Sequence, residues 1–372
     1  MEQLNPRRRG FRRVASAAVA IAAATALAAC STPAPAPTGD ATTNPEGPAL
    51  SGELWYSGFG GSYEEGMRAA LFDPFAAETG VKVLIDADGS NVAKLAETVK
   101  SGAQSPDLVD TESKTLYQFL SQDLLQPLDF SGLDTSDIAY PELITDYSVP
   151  WYQFSRNLFW NADVFPNGPQ SWADVWDLQK FPGKRVFQSN ATGVLEVALL
   201  ADGVPLDKLY PLDLDRAFAS LDKIKDSVLI MSTGEADAAI AAGEAVTGLH
   251  TLGRIRNLQD GGTNLGYSWV GAAVSVEALT ISKNAANLPA AHALIQRSLT
   301  PESQLAILNN KSLRYTPTLK SVLASLPDEE LADLPGTDIT RPTSFYIDGQ
   351  WYADHADELN ARWTDWVNSL SS

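Results

Sequence analysis

From residue 51 onward, apolar positions alternate between short runs and helical spacings. Leu54–Ser57 reads as a short strand, and residues 59–62 (FGGS) as a turn. Met67, Ala70, Leu71 and Phe75 then recur on one face of a helix over Tyr63–Thr79, which Gly80 closes before a strand at Val81–Ile85. This is a strand–helix–strand unit of a parallel sheet. A helix, a strand around Leu108 and Val109 and another helix follow. Residues 146–165 (DYSVPWYQFSRNLFWNADVF) read as a strand, an extended piece and a second strand. A helix starts at Trp172, a turn falls at Pro182, and two more helices occupy residues 192–228. Residues 238–262 give helix, strand and helix, and residues 274–310 a strand and two helices. The tail ends in an amphipathic helix with Leu359, Trp363, Trp366 and Val367 on roughly one face. The alternation predicts an α/β fold, too long for one doubly wound sheet and better divided into two lobes.

The first residues break this pattern. Arg7, Arg8, Arg9, Arg12 and Arg13 precede a run of Ala, Val, Ile and Leu over residues 14–29. That is the layout of a secretory signal, with an apolar run short of the roughly 20 residues a bilayer-spanning helix needs. The chain's single cysteine, Cys30, follows Leu27-Ala28-Ala29, a sequence that resembles the lipobox of bacterial lipoproteins. In such signals the thiol carries the lipid and the cysteine becomes the new N-terminus. Residues 8–11 (RRGF) also resemble a twin-arginine export signal, or form an ordinary charged head. Residues 31–49 are rich in Pro, Ala, Thr and Gly and read as a tether.

Charge narrows the partners. The formal net charge is -19, and loss of residues 1–29 removes five arginines and one glutamate, leaving 22 basic against 45 acidic residues. Such a balance argues against nucleic acid and against direct docking on anionic lipid. A membrane contact then rests on the lipid at Cys30. With that cysteine used, the domain has no disulfide and depends on packing.

Signs of catalysis are weak. The turn GFGGSY (residues 58–63) fails the Gly-x-Gly-x-x-Gly spacing, though it permits close backbone approach to a ligand, and Ser62 is a candidate helix cap. His250, His292 and His355 are too dispersed for a zinc motif, and no nucleophile elbow or phosphate loop occurs. His250 is a candidate pocket residue; the other two fall in helices. Asp107 and Asp110 have no weight as an acid pair without geometry. No metal or cofactor is expected.

Several longer stretches resemble the extracellular solute-binding proteins of ABC importers, in the spermidine/putrescine-binding branch. They include YSGFGGSYEEGMRAALFDPFAAETGVKV, LFWNADVFPNGPQSWADVWDLQKFPGKRVF, AAGEAVTGLHTLGRI and WYADHADELNARWTDWV. The resemblance implies a type II periplasmic-binding-protein-like fold with two lobes, a hinge and a ligand cleft. Residues 51–148 and 277–372 would form the first lobe, and residues 149–276 the second. It also implies a monomer that delivers a small solute to a membrane permease, held at the outward face of the membrane by its lipid.

The same resemblance implies ligand contacts at Phe59, Ser62 and Tyr63, at Glu112, and at Glu277, where polyamine binders usually have aspartate. Three positions depart from the polyamine pattern. Thr251 replaces a tryptophan, Ser275 replaces an aromatic, and Gly193 stands where a glutamate is expected, with Glu196 a turn later. Tyr152, His250, Arg254, Trp269, Arg314 and Tyr315 complete the candidate set. Paired arginines would suit a carboxylate or phosphonate. The expected function is capture of a polar organic solute. A polyamine is the named class, with an anionic or zwitterionic solute as its alternative. A cell-surface enzyme or adhesion module on a similar scaffold is the reading outside transport.

Overall fold

The computed structural model describes residues 50–87 and 90–370. The leader, Cys30 and the tether lie outside the described residues. Among the described residues no helix is long and apolar enough to cross a membrane.

Among the described residues eleven strands form one curled mixed sheet. They are β1 (Glu53–Ser57), β2 (Lys82–Asp86), β3 (Leu108–Glu112), β4 (Leu125–Gln126), β5 (Ser148–Asn161), β6 (Lys184–Gln188), β7 (Val228–Met231), β8 (Ala245–Thr251), β9 (Leu265–Ser282), β10 (Thr316–Pro317) and β11 (Ser344–Tyr346). The main path runs β2-β1-β3-β9-β5-β8-β6-β7. Parallel β2-β1-β3 forms one half and parallel β8-β6-β7 is the core of the other. The two longest strands, β5 and β9, pair antiparallel with each other along the middle and reach both halves. This is the α/β, two-lobed type II architecture, with β5 and β9 as the crossing strands and the cleft over them.

Local chemistry explains the elements. Ser62–Met67, Arg68–Phe72 and Asp73–Thr79 continue one another, with a π-type turn in the middle. Gly80 ends the run at φ 75°, a left-handed conformation that costs glycine little. Ser62 is not the cap expected from sequence: Gly61 occupies that position, and no side chain bonds to the helix start. The segment expected as two strands is the single strand β5. Register shifts between Pro150 and Tyr152 and between Arg156 and Leu158 break its alternation, as bulges do. β9 also starts earlier than its apolar run suggests, so Tyr267 and Trp269 lie within it.

Two large apolar clusters flank the crossing strands. One gathers Leu54, Tyr56, Phe72, Phe75, Trp151 and Leu294. The other gathers Trp172, Phe187, Leu195, Leu249, Trp363 and Trp366. The terminal helix Ala356–Ser369 therefore packs its apolar face on the second cluster, where Trp363 and Trp366 stack with centroids 5.4 Å apart. Each fully buried side chain of this size contributes roughly 1.5–3 kcal/mol through removal from water.

Candidate functional site

A cavity of 570 Å³ opens over the crossing strands. Its first wall comes from Phe59, Tyr63, Glu112, Lys114 and Tyr315. Gln188, Asn190, Thr233, Thr251 and Arg254 form the facing wall. Tyr152, Phe154 and Arg156 from β5 and Glu277 from β9 form the floor. A neighbouring cavity of 390 Å³ shares Phe59, Tyr63, Thr251, Arg254 and Tyr315, and adds Ser62.

The central feature is a buried ion pair. Glu112 ends β3, and Arg156 lies in β5. Their side chains meet at 3.0 Å (Nη1 to Oε1) and 3.3 Å (Nη2 to Oε2), a two-pronged contact. Arg156 Nε also donates to Gln188 Oε1 at 3.1 Å, and Ser275 Oγ donates to Glu112 Oε1 at 2.6 Å. Lys114 stands 3.8 Å from Glu112 and donates to Thr192 Oγ1 at 2.7 Å. Burial alone would raise the Glu112 carboxyl. The charges of Arg156 and Lys114, with bonds from Arg156 and Ser275, outweigh it and hold the group at about 2.

Beside this pair lies a second acidic pair of opposite character. Asp110 is two residues before Glu112 on β3, and Glu277 is register-paired with Glu112 from β9. Asp110 accepts from Trp151 Nε1 at 3.0 Å, from Tyr152 Oη at 3.2 Å, and from Tyr63 Oη. Burial raises the Asp110 carboxyl despite these donors. Burial raises Glu277 strongly, and the charges of Asp110 and Glu112 add to it. Among the described residues Glu277 Oε2 has no hydrogen-bond partner.

An aromatic wall stands over the acids. Tyr152 and Tyr315 stack at 4.2 Å with only 9° between their planes, and Phe59 meets Tyr63 edge-on at 5.3 Å. Opposite it, Arg254 projects from the first turn of the helix Leu252–Asp260. Arg254 donates to Ser62 Oγ at 3.3 Å, and its Nη2 pairs with Asp237. Asp237 in turn bonds His250 Nε2 at 2.8 Å. Burial would raise the Asp237 carboxyl, but the bonds and charges of His250 and Arg254 pull it below its ordinary value. Arg254 Nε has no partner among the described residues.

Phe59, Tyr63, Glu112, Tyr152, Thr251, Arg254, Glu277 and Tyr315 thus share one cavity, and Ser62 lines its neighbour. Ser275 sits beneath, bonded to Glu112. His250 is fully buried behind Asp237 rather than in the pocket. Trp269 and Arg314 are not brought to the cavity. Trp269 packs edge-on against Tyr267 at 6.1 Å, and Arg314 pairs with Asp260 at 2.7 Å. Gly193 is a strained place for the glutamate of a polyamine site, because its φ is +81° and a Cβ there would lie 3.1 Å from a Leu249 methyl. Glu196 does not substitute for it. It is buried and accepts from Tyr210 at 2.5 Å and Tyr352 at 2.9 Å. Among the described residues no group of His, Cys, Asp or Glu is arranged to hold a metal ion.

Residues 70–337 match the family described as bacterial extracellular solute-binding protein. The chain belongs to that family. It is 30% identical over 325 residues to the gamma-aminobutyric acid-binding protein of Pseudomonas aeruginosa, covering 86% of this chain and 92% of that one. It is 25% identical over 321 residues to spermidine/putrescine-binding periplasmic protein 1 of Haemophilus influenzae, covering 81% and 88%. The solved structure of a GABA receptor superposes with TM-score 0.77 at 34% identity, covering 84% of this chain and 97% of the receptor. As a member of this non-catalytic family, the chain is a solute-binding component of an ABC import system. It works on the periplasmic or extracellular side and takes a small organic ligand.

In this solute-binding protein several cavity residues escaped the sequence reading: Lys114, Phe154, Arg156, Gln188 and Asn190. Arg156 left a usable trace, as a lone cation inside the apolar run VPWYQFSRNLFW. A charge in such a strand is either paired or functional. Gln188 and Asn190 left none, because polar residues after a strand are ordinary.

Proposed function

We propose that the ligand is a zwitterionic amino acid whose ammonium and carboxylate lie at opposite ends, with γ-aminobutyrate as the type compound. One observation carries this reading. Glu277 and Arg254 line the same cavity, and each carries a buried polar atom, Oε2 and Nε, that lacks a partner among the described residues. They come from different halves of the fold. Glu277 and the faces of Tyr152 and Tyr315 suit an ammonium, where each aromatic adds roughly 0.5–2 kcal/mol by cation–π contact. Arg254, with Arg156 and the amides of Gln188 and Asn190 nearby, suits a carboxylate. A diamine would set its second ammonium against Arg254. The eroded polyamine positions at Gly193, Thr251 and Ser275 weigh the same way, as do two relatives named for GABA.

The reading extends to the whole protein. Cys30 carries a lipid, the tether lifts a monomeric domain from the membrane, and closure over the solute presents both lobes to a permease. Replacing Cys30 with serine is expected to release the protein from the membrane fraction.

Thermal unfolding with a solute panel tests the ligand class. A ligand at 100 times its Kd stabilises the native state by about 2.7 kcal/mol. GABA is expected to raise the midpoint, and Arg254→Met to remove the shift. A shift with putrescine or spermidine alone would return the protein to the polyamine binders.

A further inference from the structure

We infer that solute capture is coupled to a proton: the unliganded site holds one proton between Glu277 and Asp110, and the arriving ammonium displaces it to solvent. This rests on the zwitterion reading and deepens it.

Charge bookkeeping on one patch of sheet leads there. Asp110, Glu112 and Glu277 sit together on β3 and β9, all buried. The nearby cations, Arg156 and Lys114, both serve Glu112. Among the described residues no ion pair reaches Asp110 or Glu277. Asp110 is surrounded by neutral donors, namely Tyr63, Trp151 and Tyr152, with Tyr56 hydrogen-bonded to Tyr63 at 2.9 Å. Glu277 is the register partner of Glu112, and Asp110 is two residues back along β3, so Glu277 and Asp110 are diagonal neighbours on one face of the sheet. Two adjacent buried carboxylates without a cation are held together most cheaply by sharing a proton.

The groups facing the pair divide: burial and the neighbouring carboxylates favour a bound proton, while the bonds donated to Asp110 and the charge of Arg156 oppose it without prevailing. From β1 comes Tyr56, from the first helix Tyr63, from β5 Tyr152 and Arg156, from β3 Glu112, from the following helix Lys114, and from the loop before β10 Tyr315. The phenols are neutral, and Arg156 is bound to Glu112. Both carboxyls are accordingly raised. An ammonium at Glu277 Oε2 supplies the missing cation. The proton bound to the pair then leaves as H⁺: the pair goes from one negative charge to two, the ammonium adds one positive charge, and the local net charge is unchanged.

Two measurements test this on the purified protein. Infrared difference spectra between wild type and Glu277→Gln, without ligand at pH 7, should show a protonated carboxyl band in the wild type only. Absence of that band overturns the proposal whatever the ligand is. Calorimetric titration with GABA at one pH, in buffers of different ionisation enthalpy, should show release of about one proton per site. Affinity should rise up to tenfold per pH unit below the titration of the pair. Asp110→Asn removes one like charge from Glu277 but leaves its burial and Glu112, so GABA should bind it with a proton release that fades at lower pH than in wild type. Binding whose heat is the same in every buffer overturns the coupling. An infrared band without any GABA heat leaves the shared proton standing and refutes the GABA assignment instead.

Discussion

Glu112 and Arg156 meet through both oxygens and both terminal nitrogens, at 3.0 and 3.3 Å, and join the end of β3 to the middle of β5. Both side chains are at least nine-tenths buried. Arg156→Met leaves a buried carboxylate with only Lys114 beside it. We expect a loss of about 3–5 kcal/mol, read by urea unfolding. The double variant Glu112→Gln/Arg156→Met should recover much of that loss.

Glu112 also sets an acid limit. Its folded value is depressed from the ordinary 4.5 to about 2. The unfolded chain therefore binds a proton first as pH falls. The stabilisation is full above about 4.5 and is lost as pH drops toward about 2. The double variant should lack this part of the pH profile.

Glu277 works in the opposite direction. Its carboxyl is raised on folding. The native state holds the proton that the unfolded chain gives up, so stability falls as pH rises above the ordinary glutamate range. Unliganded Glu277→Gln should melt higher than wild type at pH 8 yet bind GABA more weakly. A lower midpoint at pH 8 would count against the buried, cation-free setting described for this residue.

Asp237 positions Arg254 from behind, with His250 fixing Asp237 in turn. Asp237→Asn keeps the shape but loosens the guanidinium. We expect GABA affinity to fall about tenfold, which corresponds to about 1.4 kcal/mol. An equal loss for a ligand without a carboxylate would show general damage rather than loss of aim.

Gly193 tests the departure from polyamine binders. Gly193→Glu forces a side chain into a left-handed backbone, 3.1 Å from Leu249. A cost of about 1–3 kcal/mol is expected, with no gain of putrescine binding. Chemical denaturation and a putrescine titration read the two effects.

The α/β alternation was legible because each helix and strand shows its own period, as in Met67, Leu71 and Phe75 on the first helix. The length of β5 and β9 was not, because bulges at Pro150 and Arg156 and a kink at Gly271 interrupt the alternation. Glu277 came from resemblance and lines the cavity. Arg254 and Trp269 were named for strand ends, and Arg314 and Tyr315 for one loop; Arg254 and Tyr315 reach the cavity while Trp269 and Arg314 do not, because neither signal encodes where a side chain points. Arg156 and Asp110 stayed hidden because their meaning is relational. One is defined by Glu112 across the sheet, and the other by three donors that lie 41 to 47 residues from it in sequence.

The most direct measurement is a calorimetric titration of the purified protein with GABA and, separately, with putrescine. The cavity's cation-free Glu277 and the Arg254 guanidinium across from it predict one-to-one binding of GABA, weakened in both Glu277→Gln and Arg254→Met, and no heat from putrescine. Saturable binding of putrescine with none of GABA would contradict the zwitterion site.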